Sequence, residues 1–287
     1  MKFANHEGRA VVTDGTRGVY VADVSNGKFA DRPDQIYNEW DEFAAWAQAV
    51  DLSEGFVLDP AKLDAPSPQP RQVFAVGLNY ADHARESGLD QPTEPAVFTK
   101  FPTSVTGPHA VLELPTDTVD YEAELVVVIG RHTYRVQEAE AWDHIAGLTV
   151  GQDISERTRQ LVGPAPQFSL GKSFPGFSPT GPWIVTADEV GNRDDLAVGC
   201  SINGRVMQDG RTSELIFPIA QIVAKLSAIL PLLPGDLIFT GTPSGVGGAR
   251  KPPVFLRDGD VLETCVEGIG TITSTCRAGV PYSPAES

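Results

Sequence analysis

The chain has 287 residues, a hydrophobic fraction of 41% and a formal net charge of −16, which together allow a large apolar core beneath an acidic surface. Because such a surface repels phosphate backbones and anionic lipids, we expect neither nucleic acid nor a membrane as a partner. A small anionic substrate is not excluded, since a metal ion or local cations can reverse the field inside one pocket.

Three cysteines without metal-ligand spacing predict reduced thiols rather than disulfides. The N-terminus has no apolar signal core, and no apolar run approaches the length of a membrane span. We therefore expect a cytoplasmic protein.

The first 65 residues predict a small α/β domain (residues 1–65). Two short strands, 10–13 and 18–22, are joined by a hairpin-type turn, and apolar residues at helical spacing predict a helix over 34–50. A proline-rich segment, 58–71, is typical of a linker. We place a domain boundary there, so that a larger domain covers residues 72–287.

The larger domain begins with a predicted strand at 72–78 and a helix at 79–88, on which His83 and Glu86 share a face. A later strand, 120–130, carries Glu122 and Glu124 at its start and ends in apolar residues. Because side chains in a strand alternate, the two glutamates point the same way.

Residues 142–153 predict a helical start followed by a strand that ends at Asp153, and 154–172 predicts a loop that could cover a pocket. Beyond residue 183 the pattern predicts an antiparallel β domain with an Asn203-Gly204 hairpin and one helix, 219–229. Strands outnumber helices, which indicates a β-rich α+β fold.

Two groups of residues suggest chemistry without establishing it. Glu122, Glu124 and Asp153 form an all-oxygen set that suits a hard divalent cation, but solvated carboxylates at strand ends explain the same spacing. His83 and Glu86 could form a proton-transfer pair, or could be a chance pair on an exposed helix.

Two loop segments also bear on function. Residues 169–173 resemble the end of a phosphate-binding loop, but Pro166 stands where that loop needs glycine, so we reject that interpretation. Residues 240–248 contain more turn residues than a strand end needs and could present backbone N–H groups to a carboxylate. The Gly-x-Ser-x-Gly pattern of serine hydrolases is absent.

Five segments in combination resemble the fumarylacetoacetate hydrolase family over residues 72–279. They are Asn79-Tyr80-x-x-His83-x-x-Glu86, Asp120-Tyr121-Glu122-x-Glu124-Leu125, Gly151-x-Asp153 followed by Arg157 and Gln160, Lys172-Ser173-Phe174, and Phe239-Thr240-Gly241-Thr242-Pro243-x-Gly245-Val246-Gly247. The resemblance implies a mixed β-sandwich roll, a homodimer, and Mg²⁺ or Mn²⁺ as cofactor, with Ca²⁺ as a further candidate.

The resemblance also assigns roles to ten residues. The metal ligands would be Glu122, Glu124 and Asp153; the catalytic residues His83, Glu86 and Lys172; and the substrate-binding residues Tyr80, Arg157, Gln160 and Thr242.

The activity implied by the resemblance is hydrolysis of a C–C bond in a diketo acid, such as an acylpyruvate or fumarylpyruvate, in aromatic compound catabolism. The oxo-acid end would chelate the metal, and His83, oriented by Glu86, would activate water. Three alternatives on the same scaffold are a decarboxylase, an isomerase and a sugar-acid dehydratase. A metal-binding homologue without turnover is a fourth, against which the intact His83, Glu86 and Lys172 argue.

Overall fold

A computed structural model describes residues 1–86, 88 and 90–281, which form a β-rich α+β fold. The strands are β1 (Lys2–His6), β2 (Arg9–Thr13), β3 (Arg17–Tyr20), β4 (Phe56–Val57), β5 (Leu63–Asp64), β6 (Val73–Gly77), β7 (Ala96–Thr99), β8 (Val105–Thr106), β9 (Val111–Leu114), β10 (Val119–Asp120), β11 (Ala123–Ile129), β12 (Ile145–Gln152), β13 (Ser155–Glu156), β14 (Ser178–Val185), β15 (Ala197–Ile202), β16 (Arg205–Arg211), β17 (Leu237–Phe239), β18 (Val261–Val266) and β19 (Gly270–Ala278). The α-helices are α1 (Val21–Val24), α2 (Pro33–Ile36), α3 (Trp40–Ala47), α4 (Ala81–Glu86), α5 (Arg157–Gln160), α6 (Phe168–Gly171) and α7 (Ile219–Ile229). None of the helices in the described residues is long and apolar enough to cross a membrane.

The larger sheet runs through both parts of the chain, in the order β4-β3-β2-β1-β14-β12-β11-β17-β6-β7. Strand β1 pairs antiparallel with β14, and one apolar cluster joins Phe3 of the first part to Val126 of the second. The proposed domains 1–65 and 72–287 thus share a sheet and a core, and the division between them stays a proposal. Residues 282–287, at the end of the second proposed domain, lie outside the described residues.

The smaller sheet has the order β16-β15-β18-β19-β9 and packs against one face of the larger sheet. Strand β11 is buried on both faces. Leu125 and Val127 face the core shared with the smaller sheet, whereas Val126 and Val128 face the core shared with the N-terminal helices. By strand alternation, Glu124 projects on the side of Val126. The doubly buried strand is therefore a rigid support for the residues at its start.

Several predicted elements are confirmed where the signal is local. Helix α7 has the predicted bounds, and Asn203 and Gly204 form the turn between β15 and β16 with positive φ angles of 52° and 78°. The helix predicted over 34–50 is instead divided into α2, a 3₁₀ turn and α3. The helix predicted over 79–88 is α4, although Ser87 lies outside the described residues.

Two predictions about the second half were wrong in part. The expected loop 154–172 contains the short helices α5 and α6. The expected antiparallel C-terminal domain does not form a separate unit, because β17 belongs to the larger sheet, where it pairs in parallel with β6. This pairing joins residues about 160 positions apart, and no local sequence pattern predicts it.

Candidate active site

The three predicted metal ligands meet where β11 starts and β12 ends. These strands are antiparallel neighbours, with Glu124 opposite Gly151, and the backbone N–H of Asp153 donates to the carbonyl of Glu122 at 2.9 Å. Glu122, Glu124 and Asp153 are 6%, 2% and 1% exposed. Each offers a carboxylate oxygen, and these oxygens all lie within 4.8 Å of one another. The strands thus gather an acidic triad.

Two cations compensate part of this negative charge. Lys172 Nζ lies 2.7 Å from Glu122 Oε2 and 2.7 Å from Asp153 Oδ2. Arg157 Nη2 lies 2.8 Å from Glu122 Oε1. Burial acts to raise the pKa of Glu122, but Lys172 and Arg157 outweigh it and hold that pKa well below its usual range. Burial also acts to lower the pKa of Lys172, and here Asp153 and Glu122 outweigh it, so that this pKa is raised.

Glu124 is the member of the triad whose charge is least compensated. Its Oε2 accepts a hydrogen bond from the backbone N–H of Gly241 at 2.8 Å, and no ion pair reaches it from the described residues. Burial, with the charges of Asp153 and Glu122, raises the pKa of Glu124 well above its usual value. Such crowding is what a cation among the three carboxylates would relieve.

A fully buried lysine completes the cluster and was not predicted. Lys100, just beyond β7, is 0% exposed, and its Nζ lies 2.5 Å from Asp153 Oδ1. It also donates to the backbone carbonyl of Lys172. Burial lowers the pKa of Lys100, although Asp153 opposes the shift. In the sequence it appears only as one polar residue after an apolar strand, which does not distinguish it from an exposed lysine.

Asp120 is a second residue whose role sequence reasoning missed. Its carboxylate is 0% exposed and accepts hydrogen bonds from the backbone N–H groups of Gly247 at 2.7 Å and Gly248 at 2.8 Å. The same carboxylate lies 2.7 Å from Arg157 Nη2. Asp120 therefore links the glycine-rich turn, residues 240–248, to the arginine that contacts Glu122. Its position beside Glu122 in the family motif was the available signal.

The glycine-rich turn presents N–H groups to carboxylates, as predicted, but these carboxylates belong to the protein. Gly241 binds Glu124, Gly247 and Gly248 bind Asp120, and Gly245 binds Glu86 at 3.1 and 3.0 Å. This part of the chain thereby positions three acidic side chains from different elements.

The predicted His83–Glu86 pair forms within α4. His83 Nδ1 lies 2.8 Å from Glu86 Oε1, and the helix begins after Leu78, whose positive φ of 55° turns the chain sharply away from β6. Asn79 fixes this turn by donating to the carbonyl of Thr240 at 2.7 Å. Because Glu86 also accepts from Gly245, the pair is fixed against the glycine-rich turn.

One cavity of about 540 Å³ contains nearly all of the predicted site. Its lining residues are Val76, Gly77, Leu78, His83, Glu86, Phe98, Glu122, Glu124, Asp153, Arg157, Gln160, Leu161, Phe168, Lys172, Thr242, Val246, Gly248, Ala249, Lys251 and Phe255. Its volume is typical of a small-molecule site. Of the ten predicted residues, only Tyr80 is missing from this lining.

The predicted substrate-binding residues are placed differently. Gln160 accepts from Arg157 at 3.0 Å, and the Thr242 hydroxyl donates to the carbonyl of Ala123 at 2.9 Å. Tyr80 is 1% exposed, and its hydroxyl has no hydrogen-bond partner in the described residues. Burial raises the pKa of this phenol above its usual value. The substrate-binding role of all four predicted residues, Arg157 included, stays a prediction.

The residues present fit a divalent cation. Four carboxylates, Asp120, Glu122, Glu124 and Asp153, stand against three cations, Lys100, Arg157 and Lys172. The surplus negative charge is centred on Glu124. Buried carboxylate oxygens at this mutual distance are the donor set that Mg²⁺ and Mn²⁺ prefer.

Two solved structures resemble the whole fold. A putative HpcE protein from Mycobacterium smegmatis is 49% identical, with a TM-score of 0.92 over 97% of this chain and 99% of that chain. Maleylpyruvate hydrolase from Sphingobium sp. SYK-6, solved with manganese(II) and pyruvate, is 25% identical, with a TM-score of 0.77 over 97% of this chain and 100% of that chain.

Sequence comparison gives the same family. The mitochondrial oxaloacetate tautomerase FAHD2A of Bos taurus is 42% identical over 210 residues, which are 72% of this chain and 67% of that protein. The family description "Fumarylacetoacetate (FAA) hydrolase C-terminal" matches residues 72–277. That match spans the acidic triad and the His83–Glu86 pair and covers more than half of the chain, so the protein belongs to the fumarylacetoacetate hydrolase family.

Proposed function

We propose that this protein catalyses proton transfer at the carbon beside the carbonyl of a 2-oxo acid, with Mg²⁺ or Mn²⁺ held by Glu122, Glu124 and Asp153. The observation that carries the proposal is the position of the His83–Glu86 pair. Its atoms lie 2.8 Å apart, and it lines the same cavity as the acidic triad. A proton-transfer group therefore faces the site at which the oxo-acid end would bind.

The roles of the side chains follow from their contacts. When His83 Nδ1–H donates to Glu86, the Nε2 atom is left as the basic nitrogen. Glu86 stabilises the imidazolium that forms, and Gly245 keeps Glu86 oriented. Contacts to Glu122 and Asp153 hold Lys172 in the cavity. From there it would offset the negative charge that develops on the carbonyl oxygen of the substrate. The divalent cation, when bound, would polarise the substrate carbonyl.

Keto–enol interconversion of oxaloacetate is the reaction that this arrangement supports most directly. Proton transfer and charge stabilisation suffice for it, and a relative 42% identical is named an oxaloacetate tautomerase. The test follows the enol absorbance of oxaloacetate with metal-stripped protein, before and after adding Mn²⁺. We expect Mn²⁺-dependent loss of the enol, slowed at least about 100-fold by His83→Gln. Equal rates for the wild type and this variant would contradict the proposal.

Hydrolysis of a C–C bond in a diketo acid is the second candidate. It is favoured by the likeness to maleylpyruvate hydrolase and by a cavity of about 540 Å³, which has room for a longer substrate and a water molecule. In that reaction His83 would take its proton from water instead of carbon. Incubation with acetylpyruvate or fumarylpyruvate should then release pyruvate and the matching carboxylic acid in equal amounts. Enol conversion without pyruvate release would exclude this candidate.

A further inference from the structure

The cavity has one cationic side chain that no carboxylate of the described residues engages. Arg157 contacts Asp120 and Glu122, and Lys172 contacts Glu122 and Asp153. Lys251 also lines the cavity. Unlike the other two, it is exposed and forms no ion pair or side-chain hydrogen bond with the described residues.

Hydrogen bonds hold the backbone around Lys251, although its side chain has no partner in the part of the chain that the structure describes. Arg250 points inward, with Nη2 2.6 Å from the carbonyl of Met207 and Nε 3.1 Å from the hydroxyl of Tyr121. The N–H groups of Arg250 and Val254 both donate to the carbonyl of Gly247, at 3.2 and 3.0 Å. A charged side chain on such a fixed loop loses little backbone freedom when it binds a ligand.

The remaining wall of the cavity is mainly apolar. Phe98, Leu161, Phe168 and Phe255 line it, and the Phe98 and Phe168 rings meet edge to face at 5.6 Å. Such a surface suits the carbon chain of a substrate and offers no partner to a second charge. Among the described residues, a second carboxylate in this cavity would therefore find an unpaired cation only at Lys251.

We infer that Lys251 binds a second, distal carboxylate of the substrate, so that the enzyme selects dicarboxylic over monocarboxylic 2-oxo acids. This inference rests on the proposed function, which places the 2-oxo acid end at the acidic triad. The apolar wall then accommodates the carbons between the two ends. Because the carboxylate–ammonium contact forms at an exposed position, its contribution to affinity is moderate, about fivefold.

The test uses two 2-oxo acids of equal chain length, 2-oxoadipate and 2-oxohexanoate, which differ by a terminal carboxylate against a methyl group. Each is titrated calorimetrically into the Mn²⁺-loaded full chain. The wild type should bind 2-oxoadipate about fivefold more tightly. Lys251→Met should remove this preference and leave 2-oxohexanoate binding within about twofold, whereas Lys251→Arg should keep most of it. Lys62→Met, which removes an exposed lysine outside the cavity, controls for net charge and should change neither affinity.

The two probes separate failure of this inference from failure of the proposed function. A preference for 2-oxoadipate that survives Lys251→Met would overturn the inference, as would an equal loss of both affinities or the absence of a preference in the wild type. If neither acid binds the Mn²⁺-loaded wild type, the proposed function itself fails, and the inference fails with it.

Discussion

Replacing Lys100 with methionine tests the buried charge network most sharply. The side chains of Lys100 and Asp153 are 0% and 1% exposed, and Lys100 Nζ lies 2.5 Å from Asp153 Oδ1. Methionine is similar in length but carries no charge, so Asp153 would remain buried with Lys172 as its ion-pair partner. Breaking a buried pair by removing one partner costs about 3–5 kcal/mol. Because Lys172 remains, we expect the lower end, about 3 kcal/mol, which is roughly a 150-fold change in the unfolding equilibrium constant.

The assay is urea unfolding of metal-stripped protein at pH 7.5, with Lys62→Met as the matched control. Lys62 pairs with Glu7 at 3.1 Å, but the two side chains are 47% and 54% exposed, so its replacement should cost less than about 1 kcal/mol. A double-mutant cycle of Lys100→Met with Asp153→Asn should give a coupling free energy of about 2 kcal/mol. A loss from Lys100→Met no larger than that from Lys62→Met would refute this account of the network.

Three further predictions concern the His83–Glu86 pair, the glycine-rich turn and a buried thiol. Glu86→Gln should lower kcat at least about tenfold with little change in KM, since His83 loses its anionic partner. An unchanged kcat in steady-state assays would contradict a role for Glu86 in proton transfer by His83. Asp120→Asn should lower the free energy of unfolding by about 3 kcal/mol in urea titrations, because Arg157 and two backbone N–H groups lose a buried carboxylate; a loss below about 1 kcal/mol contradicts this. Burial raises the pKa of the Cys276 thiol to about 12, so its contribution to stability is complete below the unfolded pKa near 9 and falls by about 1.4 kcal/mol per pH unit above it. Cys276→Val should therefore reduce the free energy of unfolding lost between pH 8.5 and 10.5 by about 2 kcal/mol. Equal losses in the wild type and in Cys276→Val would show that the pKa of the Cys276 thiol is not raised in the folded protein.

Local signals in the sequence predicted the elements that local physics determines. Helix α7 follows from its apolar spacing, and the turn at Asn203-Gly204 follows from the two positive φ angles that these residues tolerate. The helix predicted over 34–50 was interrupted by a 3₁₀ turn at Tyr37–Glu39, where packing of Tyr37 and Trp40 against Phe3 takes precedence over helix propensity.

The predicted residues that line the cavity were selected through the family motifs, because residue spacing alone did not distinguish a functional role from a chance arrangement. What the sequence could not supply were contacts between distant segments. Lys100 meets Asp153 across 53 positions, and Asp120 meets Gly247 across 127. The sheet pairing that brings such residues together depends on the packing of the whole core, and a lysine or aspartate at such a position carries no local mark of its burial.

The central claim is that Glu122, Glu124 and Asp153 hold one divalent cation. Its most direct test is calorimetric titration of Mn²⁺ into chelator-stripped protein, with the wild type, Glu124→Gln and the exposed control Glu7→Gln compared at pH 7.5. We predict one Mn²⁺ per chain for the wild type and for the control, and at least about tenfold weaker binding for Glu124→Gln, because Glu124 is 2% exposed and its carboxylate belongs to the triad. Wild-type affinity in Glu124→Gln, or no Mn²⁺ binding by the wild type, would contradict the account.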